Sequence, residues 1–292
     1  AEDADLLLAV TNSDEVNMIT CQIAHSLFNV PHKIARLDSE AFLNPLWETL
    51  YSDNHLPIDM IISPDIEIAQ NILQILKYPG NSGVISVLQD EAAILTLKIN
   101  ENCPFLKTPI MHLSRVNPDL DFAVVNILRD GNCFVPEAYD TLEAGDEINI
   151  LVRKKLIDET ICGFGLDTPG NERLVIFGGS LIGRFIGRQV EHDDSVVSCK
   201  IIEENMDDAR SLARELSHVV VIQGEMMSDV ILNEANINHA DASIAVTLDD
   251  KDNLLASMVA SQNGVMTNIT VVNTPSYNNL LFNIKNNILV DR

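Results

Sequence analysis

The chain writes one phrase twice. "ADLLLAVTNSDEVN" runs from Ala4 to Asn17, and "ADASIAVTLDDKDN" runs from Ala240 to Asn253, 236 positions later. Each copy reads Ala-Asp, a short apolar run, Ala-Val-Thr, an acidic polar cluster, then an Asn that opens an apolar pattern. A short apolar run that meets a helix start is the mark of a buried strand feeding a helix. The match continues downstream. "VPHKIARLDSEAF" (30–42) parallels "VMTNITVVNTPSY" (265–277) with one deletion, and "IDMIIS" (58–63) parallels "NNILVD" (286–291). The fold must therefore hold two similar strand–helix units.

Residues 6–10, 33–37 and 60–63 read as strands. Asn12 is a candidate helix cap with Glu15 three residues on, and Val16, Ile19, Ile23 and Leu27 follow at helical spacing. Ser63-Pro64-Asp65 starts a second helix with a cap, a proline at the first helical position and an acid. Ile66, Ala69, Ile72, Leu73 and Leu76 carry it to a break at 78–83. From 83 to about 163 short strands dominate (84–88, 92–99, 122–128, 147–152), with Asp130-Gly131 as a hairpin signal. From Arg173 strands and helices alternate, as in βαβ units on a parallel sheet.

The fold class expected is α/β: Rossmann-like parallel-sheet nucleotide-binding subdomains alternating with a small α+β subdomain. The boundaries expected are 1–78 for a partial first Rossmann-like unit, 79–165 for the small one and 172–292 for the second Rossmann-like unit. The second copy owns a front half, 173–237, with no counterpart ahead of Ala4. The expectation is a window on a longer duplicated chain. Residues 1–77 should then be its least stable part, held by the 65–77 helix docking on a partner or by strand pairing with another copy.

Composition narrows the function. With 43 acidic and 19 basic residues the formal net charge is −24, which repels nucleic-acid phosphates and anionic lipid. Five scattered cysteines without a C-x-x-C pair argue against a disulfide framework or a zinc site and for a reducing cytosol. No apolar run approaches 18 residues. No H-x-H, H-E-x-x-H, G-x-S-x-G or G-x-x-x-x-G-K occurs, and no acid/base pair or catalytic constellation is identifiable.

"VIFGGSLIG" is the stretch that carries chemistry. A strand ends at a Gly-rich turn that opens a helix, and Glu203 follows 20 residues after Gly183. This is the context in which a helix N-terminus takes a pyrophosphate and an acid takes the ribose hydroxyls, favouring NAD over NADP. Gly178 would make the tight turn and Gly183 the close helix–strand approach. Ser180 stands where the G-x-G-x-x-G pattern has its middle glycine, so a Cβ sits at the closest approach to phosphate. The repeated Ala-Val-Thr phrase ends at the same edge of the sheet. Thr247, Asp249 and Asp250, with Thr11 and Asn12 in the first copy, are candidates either for ligand contacts or for helix capping. Arg36, ending a strand, is a candidate phosphate contact or a surface ion pair.

The stretches "AEDADLLLAVTNSDEVNM", "CQIAHSLFNVPHKIAR", "LPIDMIISP", "YPG", "EAGDEI", "GGSLIG" and "IAVTLDD" together resemble the Trk-system potassium uptake regulatory proteins, the TrkA family, over essentially the whole chain. The resemblance implies tandem RCK (regulator of potassium conductance) domains, each with a Rossmann-like N-subdomain and a small C-subdomain. It implies a homo-oligomeric regulatory subunit, not an enzyme, on the cytoplasmic side of the plasma membrane, attached to a membrane-embedded Trk-type potassium transporter. It also implies regulatory binding of NAD(H) or an adenine nucleotide (ATP/ADP). Carried over residue by residue, the second site is Gly178, Gly179, Ser180, Leu181, Ile182 and Glu203, and the first is Thr11, Asn12 and Arg36; Gly183 and Thr247 join the second site as cofactor-binding candidates from the residue pattern itself. The alternatives are an NAD-dependent oxidoreductase, for which His112 and Tyr139 are the available proton-transfer candidates, and a gating module of another channel or antiporter.

Overall fold

A computed structural model of the chain describes residues 3–43, 49–52, 55–77, 81–88, 91–113, 120–166, 172–274 and 287–291. Residues 78–80 of the expected break and 275–277 of the repeat lie outside them. The first unit holds β1 (Leu6–Ala9), α1 (Asp14–Phe28), β2 (His32–Arg36), the short α2 (Glu40–Leu43), β3 (Met60–Ile62) and α3 (Pro64–Lys77). The middle unit holds β4 (Asn81–Val87), β5 (Ala92–Lys98), β6 (Phe122–Arg129), β7 (Asn132–Phe134), β8 (Glu147–Arg153) and α4 (Ile157–Gly163). The last holds β9 (Arg173–Phe177), α5 (Leu181–Val190), β10 (Ser198–Glu203), α6 (Met206–Glu215), β11 (Val220–Gln223), α7 (Asp229–Ala235), β12 (Ala242–Ala245), α8 (Asp250–Gln262), β13 (Thr267–Val272) and β14 (Asn287–Asp291).

The last sheet is parallel in the order β11-β10-β9-β12-β13-β14. Counted within the unit this is 3-2-1-4-5-6, the Rossmann order. Both faces are covered, which is why the strands read as near-continuous apolar runs. One face carries Ile176, Ile201, Ile244 and Ile269 against α5 and α6, and the other carries Phe177, Ile202 and Ala245 against α7 and α8. The middle sheet is antiparallel, β4-β5-β8-β6-β7. Its core centres on Phe105, Phe122 and Phe164, whose rings meet at 4.7–5.9 Å. Asp130 and Gly131 both have positive φ (49° and 79°) in the β6–β7 hairpin, as an Asp-Gly turn requires.

The first sheet has three parallel strands, β1-β2-β3, and one of the sequence expectations is corrected there. The cap of α1 is Ser13, not Asn12: the Ser13 hydroxyl accepts from Val16 N and donates to the Glu15 carboxylate. The apolar stripe that announced the helix, Val16, Ile19, Ile23 and Leu27, is the exposed face (46–72 %). The face that packs is Asn17, Met18, Cys21 and Ala24, of which Met18, Cys21 and Ala24 share a core with Ala9 of β1 and Ala35 of β2.

α3 belongs to the first unit by connectivity and to the last by packing. Ile68, Ala69, Ile72, Ile75 and Leu76 are buried in the same core as Leu174, Ile182, Ile186 and Val290. Four Ile/Leu side chains buried at about 1.5–3 kcal/mol each hold it there. The docking partner expected for this helix is thus the chain's own second sheet.

Candidate functional site

The Gly-rich loop joins β9 to α5 at the switch point, where β10 lies to one side of β9 and β12 to the other. Gly178 has φ +104°, open to glycine and strained for other residues. A Cβ there would meet Thr247 N at 2.9 Å. A Cβ on Gly179 would collide with Leu212 Cδ1 and approach the Glu203 carboxylate, and one on Gly183 would fall on the Gly178 carbonyl oxygen. Gly178 and Gly183 are thus imposed by close approach of backbone, whereas the neighbours of Gly179 are side-chain ends.

Two side chains cap the loop. Glu203, at the end of β10, accepts from Gly179 N at 2.6 Å and from Asn205 N at 2.8 Å. Ser180 is the N-cap of α5; its hydroxyl donates to Val246 O at 2.5 Å and accepts from Gly183 N at 3.5 Å. The substitution of serine for glycine is therefore absorbed by a hydroxyl bridge to the end of β12. The main-chain N–H groups of Ser180, Leu181 and Ile182 have no acceptor among the described residues. Together with the positive end of the α5 dipole they form an anion-accepting surface. Ile182 contributes only its main chain, since its side chain is 1 % exposed in the core.

The repeated phrase folds into the same device in both copies. Asn253 accepts from Thr247 N (2.7 Å) and Thr247 Oγ1 (2.8 Å), and its amide donates to Thr247 O (3.1 Å) and Val271 O (2.9 Å). Asn17 makes the same four bonds, to Thr11 N (2.8 Å), Thr11 Oγ1 (2.7 Å), Thr11 O (3.0 Å) and Arg36 O (2.9 Å). Asp250 accepts from Asn273 N and Thr274 N, as Asp14 accepts from Asp38 N and Ser39 N. Partial burial would raise the Asp250 carboxyl, but the donors on Thr274 and Asn273 outweigh it and hold it below the usual range. Asp249 caps α8 through Lys251 N at 2.7 Å. Burial, then the charges of Asp249 and Glu204, raise the Asp252 carboxyl, so the end of β10 and the start of α8 bring carboxylates together.

The structure thus gathers Gly178, Gly179, Ser180, Gly183, Glu203 and Thr247 into one contiguous edge, with Leu181 and Ile182 as the first turn of α5. Thr247 spends its hydroxyl on Asn253 and Asp249. Thr11, Asn12 and Arg36 lie at the corresponding edge of the first sheet, where Thr11 is tied to Asn17 and Ser13. Arg36 forms a bidentate pair with Asp38 at 2.6–3.2 Å. Its pKa is raised first by the Asp38 hydrogen bond and further by Asp65 and Asp14. His112 and Tyr139 lie beside the five-stranded sheet, where Met111 N bonds Ala138 O at 3.1 Å. Sequence reasoning did not assign Asn17 and Asn253, although both close the repeated phrase. No group of three or more His, Cys, Asp or Glu among the described residues is placed to hold a metal ion.

The family model described as "TrkA-N domain" matches residues 1–64 and 174–290, the two copies of the repeat. Among curated proteins, a Trk system potassium uptake protein TrkA of Azorhizobium caulinodans is 36 % identical over 276 residues, 94 % of this chain and 60 % of that protein. The chain therefore spans about three fifths of that relative's length. Among solved structures, the crystal structure of the GsuK RCK domain superposes with TM-score 0.67 at 17 % identity, covering 99 % of this chain and 59 % of that one. A structure titled "GsuK channel bound to NAD" superposes with TM-score 0.67 at 16 % identity over 99 % of this chain and 49 % of that one. The whole described chain has the RCK fold, and by the family model the chain belongs to the TrkA-N domain family.

Proposed function

We propose that this chain is the nucleotide-binding part of a cytosolic regulatory subunit for a Trk-type potassium uptake transporter, with NAD(H) or an adenine nucleotide as the regulatory ligand. The observation that carries the reading is the α5 N-terminus: three main-chain N–H groups without an acceptor among the described residues, at a glycine turn, with Glu203 at 2.6 Å from Gly179 N. The pyrophosphate would take Ser180, Leu181 and Ile182 N–H, and the Glu203 carboxylate would turn to the ribose hydroxyls. The name of the Azorhizobium relative supports the transport role, and the NAD-bound channel neighbour supports the ligand class. Thr11, Asn12 and Arg36 serve the first copy's site. The chain acts as a regulator, peripheral on the inner face of the membrane, and the transporter partner is the membrane-embedded component.

Homo-oligomer formation is part of this reading. The exposed apolar stripe of α1, Val16, Ile19, Ile23 and Leu27, supports it; by the repeat only Ile19 has an exposed apolar counterpart on α8, Leu255 at 47 %. An exposed apolar stripe on a helix suits association with a second copy.

Calorimetry with NAD, NADH and ADP tests the proposal. Glu203→Ala should weaken NAD by about one to two decades, the loss of one or two charge-assisted hydrogen bonds. Ser180→Gly should leave affinity equal or stronger. Absence of binding by all three nucleotides would refute the nucleotide reading, and unchanged NAD affinity in Glu203→Ala would remove Glu203 from the site.

A further inference from the structure

Positive charge is gathered at one place on this acidic protein. Of 19 basic residues in a chain of net charge −24, four arginines sit on the neighbouring helices α5 and α6: Arg184, Arg188, Arg210 and Arg214. α6 buries Ala209 and Leu212 on its inner side. Asp207, Arg210, Ser211, Arg214 and Glu215 fall at i, i+3, i+4, i+7 and i+8, which is a single stripe on its outer side. That stripe lines an open groove of about 500 Å³.

The groups along the stripe do not neutralise one another. Glu215 takes both α5 arginines, Arg184 Nη1 at 2.7 Å on one oxygen and Arg188 Nε on the other. Arg184 also donates to Ser211 Oγ at 3.5 Å, which brings a third guanidinium to the middle of the stripe. Among the described residues the Arg210 and Arg214 side chains have no hydrogen bond or ion pair, the Ser211 hydroxyl proton has no acceptor and the Asp207 carboxylate has no donor. Two guanidinium forks and a hydroxyl thus stand together as donors, the set that matches the oxygens of a phosphate. The Asp207 carboxylate, at the N-terminal end of the stripe, repels a phosphate and accepts from a hydroxyl. We propose that this groove binds the phosphate ester of a small polyol, with the phosphate on Arg210, Ser211 and Arg214 and a ligand hydroxyl on Asp207. Free glycerol phosphate and the headgroup of phosphatidylglycerol both carry that chemistry. The charge of the remaining surface repels such an anion, so contact is confined to the groove. The site is separate from the first turn of α5, because it uses side chains of α6 and no main-chain N–H.

The test is arginine reactivity. Phenylglyoxal modifies accessible guanidiniums, and peptide mass spectrometry reads Arg210 and Arg214, with Arg173, 49 % exposed and outside the groove, as the internal reference. Glycerol phosphate at about ten times its Kd should slow modification of Arg210 and Arg214 about tenfold, the factor 1 + [L]/Kd, and leave Arg173 unchanged. Phosphatidylglycerol vesicles, set against phosphatidylcholine vesicles, distinguish the sources. Protection by the vesicles but not by the free ester assigns a membrane headgroup, and protection by the free ester alone assigns a soluble ligand. Asp207→Asn should remove the preference for glycerol phosphate over inorganic phosphate. No protection by either form would overturn the proposal, as would equal slowing at Arg173 or equal slowing by sodium chloride at matched ionic strength. An unchanged preference in Asp207→Asn would overturn the polyol assignment.

Discussion

Replacing Asn253 by alanine probes the device that the chain builds twice. Asn253 is 1 % exposed and makes four hydrogen bonds. Its removal leaves Thr247 N–H without its acceptor and takes a donor from Val271 O, on a strand residue that is itself 1 % exposed. An unsatisfied buried group costs about 1–3 kcal/mol, so Asn253→Ala should cost about 2–4 kcal/mol. Asn17→Ala breaks the same pattern where Thr11 is exposed. Water replaces part of what is lost there, and the cost should be about 1–2 kcal/mol. Asn253→Asp keeps an acceptor for Thr247 N but turns a carboxylate oxygen on two carbonyls. It should cost at least as much as alanine at neutral pH, and less as acid protonates the carboxyl. Urea denaturation, with hydrogen exchange resolving β12 and β13, measures each. A loss below about 0.5 kcal/mol for Asn253→Ala, or a larger loss for Asn17→Ala, would refute the reasoning.

Gly183→Ala should destabilise the last unit by about 1–3 kcal/mol, since its methyl falls on the Gly178 carbonyl and α5 must retreat from β9. Gly187→Ala meets only the side-chain ends of Leu216 and Ile201 at 3.0 and 3.2 Å and should cost less, and thermal melting of the two variants checks the order. In the middle unit Asp146 is 1 % exposed; burial would raise its carboxyl, but Arg129 at 2.7 Å and Glu143 N at 2.8 Å hold it below the usual range. Its contribution is full above the ordinary carboxylate pKa of about 4 and is lost as pH falls through the lower folded value. Asp146→Asn should cost about 2–3 kcal/mol at neutral pH, with Arg129 28 % exposed and so partly screened, and should flatten the acid limb of an unfolding titration.

The elements were legible where apolar runs met punctuation. Pro64, Asp130-Gly131 and the loop from Gly178 each sit where the sequence puts a boundary, because each is dictated by local backbone chemistry. The place of Glu203 at the end of β10 was legible from the strand pattern, but its bond to Gly179 N, 24 residues away, was not. What packs against what was not. Val16, Ile19, Ile23 and Leu27 announced α1 by spacing, yet face outward. Spacing identifies a helix face without saying whether this sheet or another surface covers it. α3 was legible as a helix, but its partner is a tertiary choice between two sheets of the same design. The bridge from Ser180 to Val246 joins residues 66 apart, and Asn17 and Asn253 stood in the repeat without a local rule that gives a buried amide its partners.

The central claim is that a nucleotide phosphate sits on the first turn of α5. Amide exchange resolved at Ser180, Leu181 and Ile182, with and without saturating NAD or ADP, tests it most directly. These three N–H groups, unpartnered among the described residues, should slow markedly on nucleotide addition, with Gly179 N–H changing as Glu203 turns to the ribose. Saturable binding that leaves exchange at 179–182 unchanged, with protection elsewhere, would contradict the account.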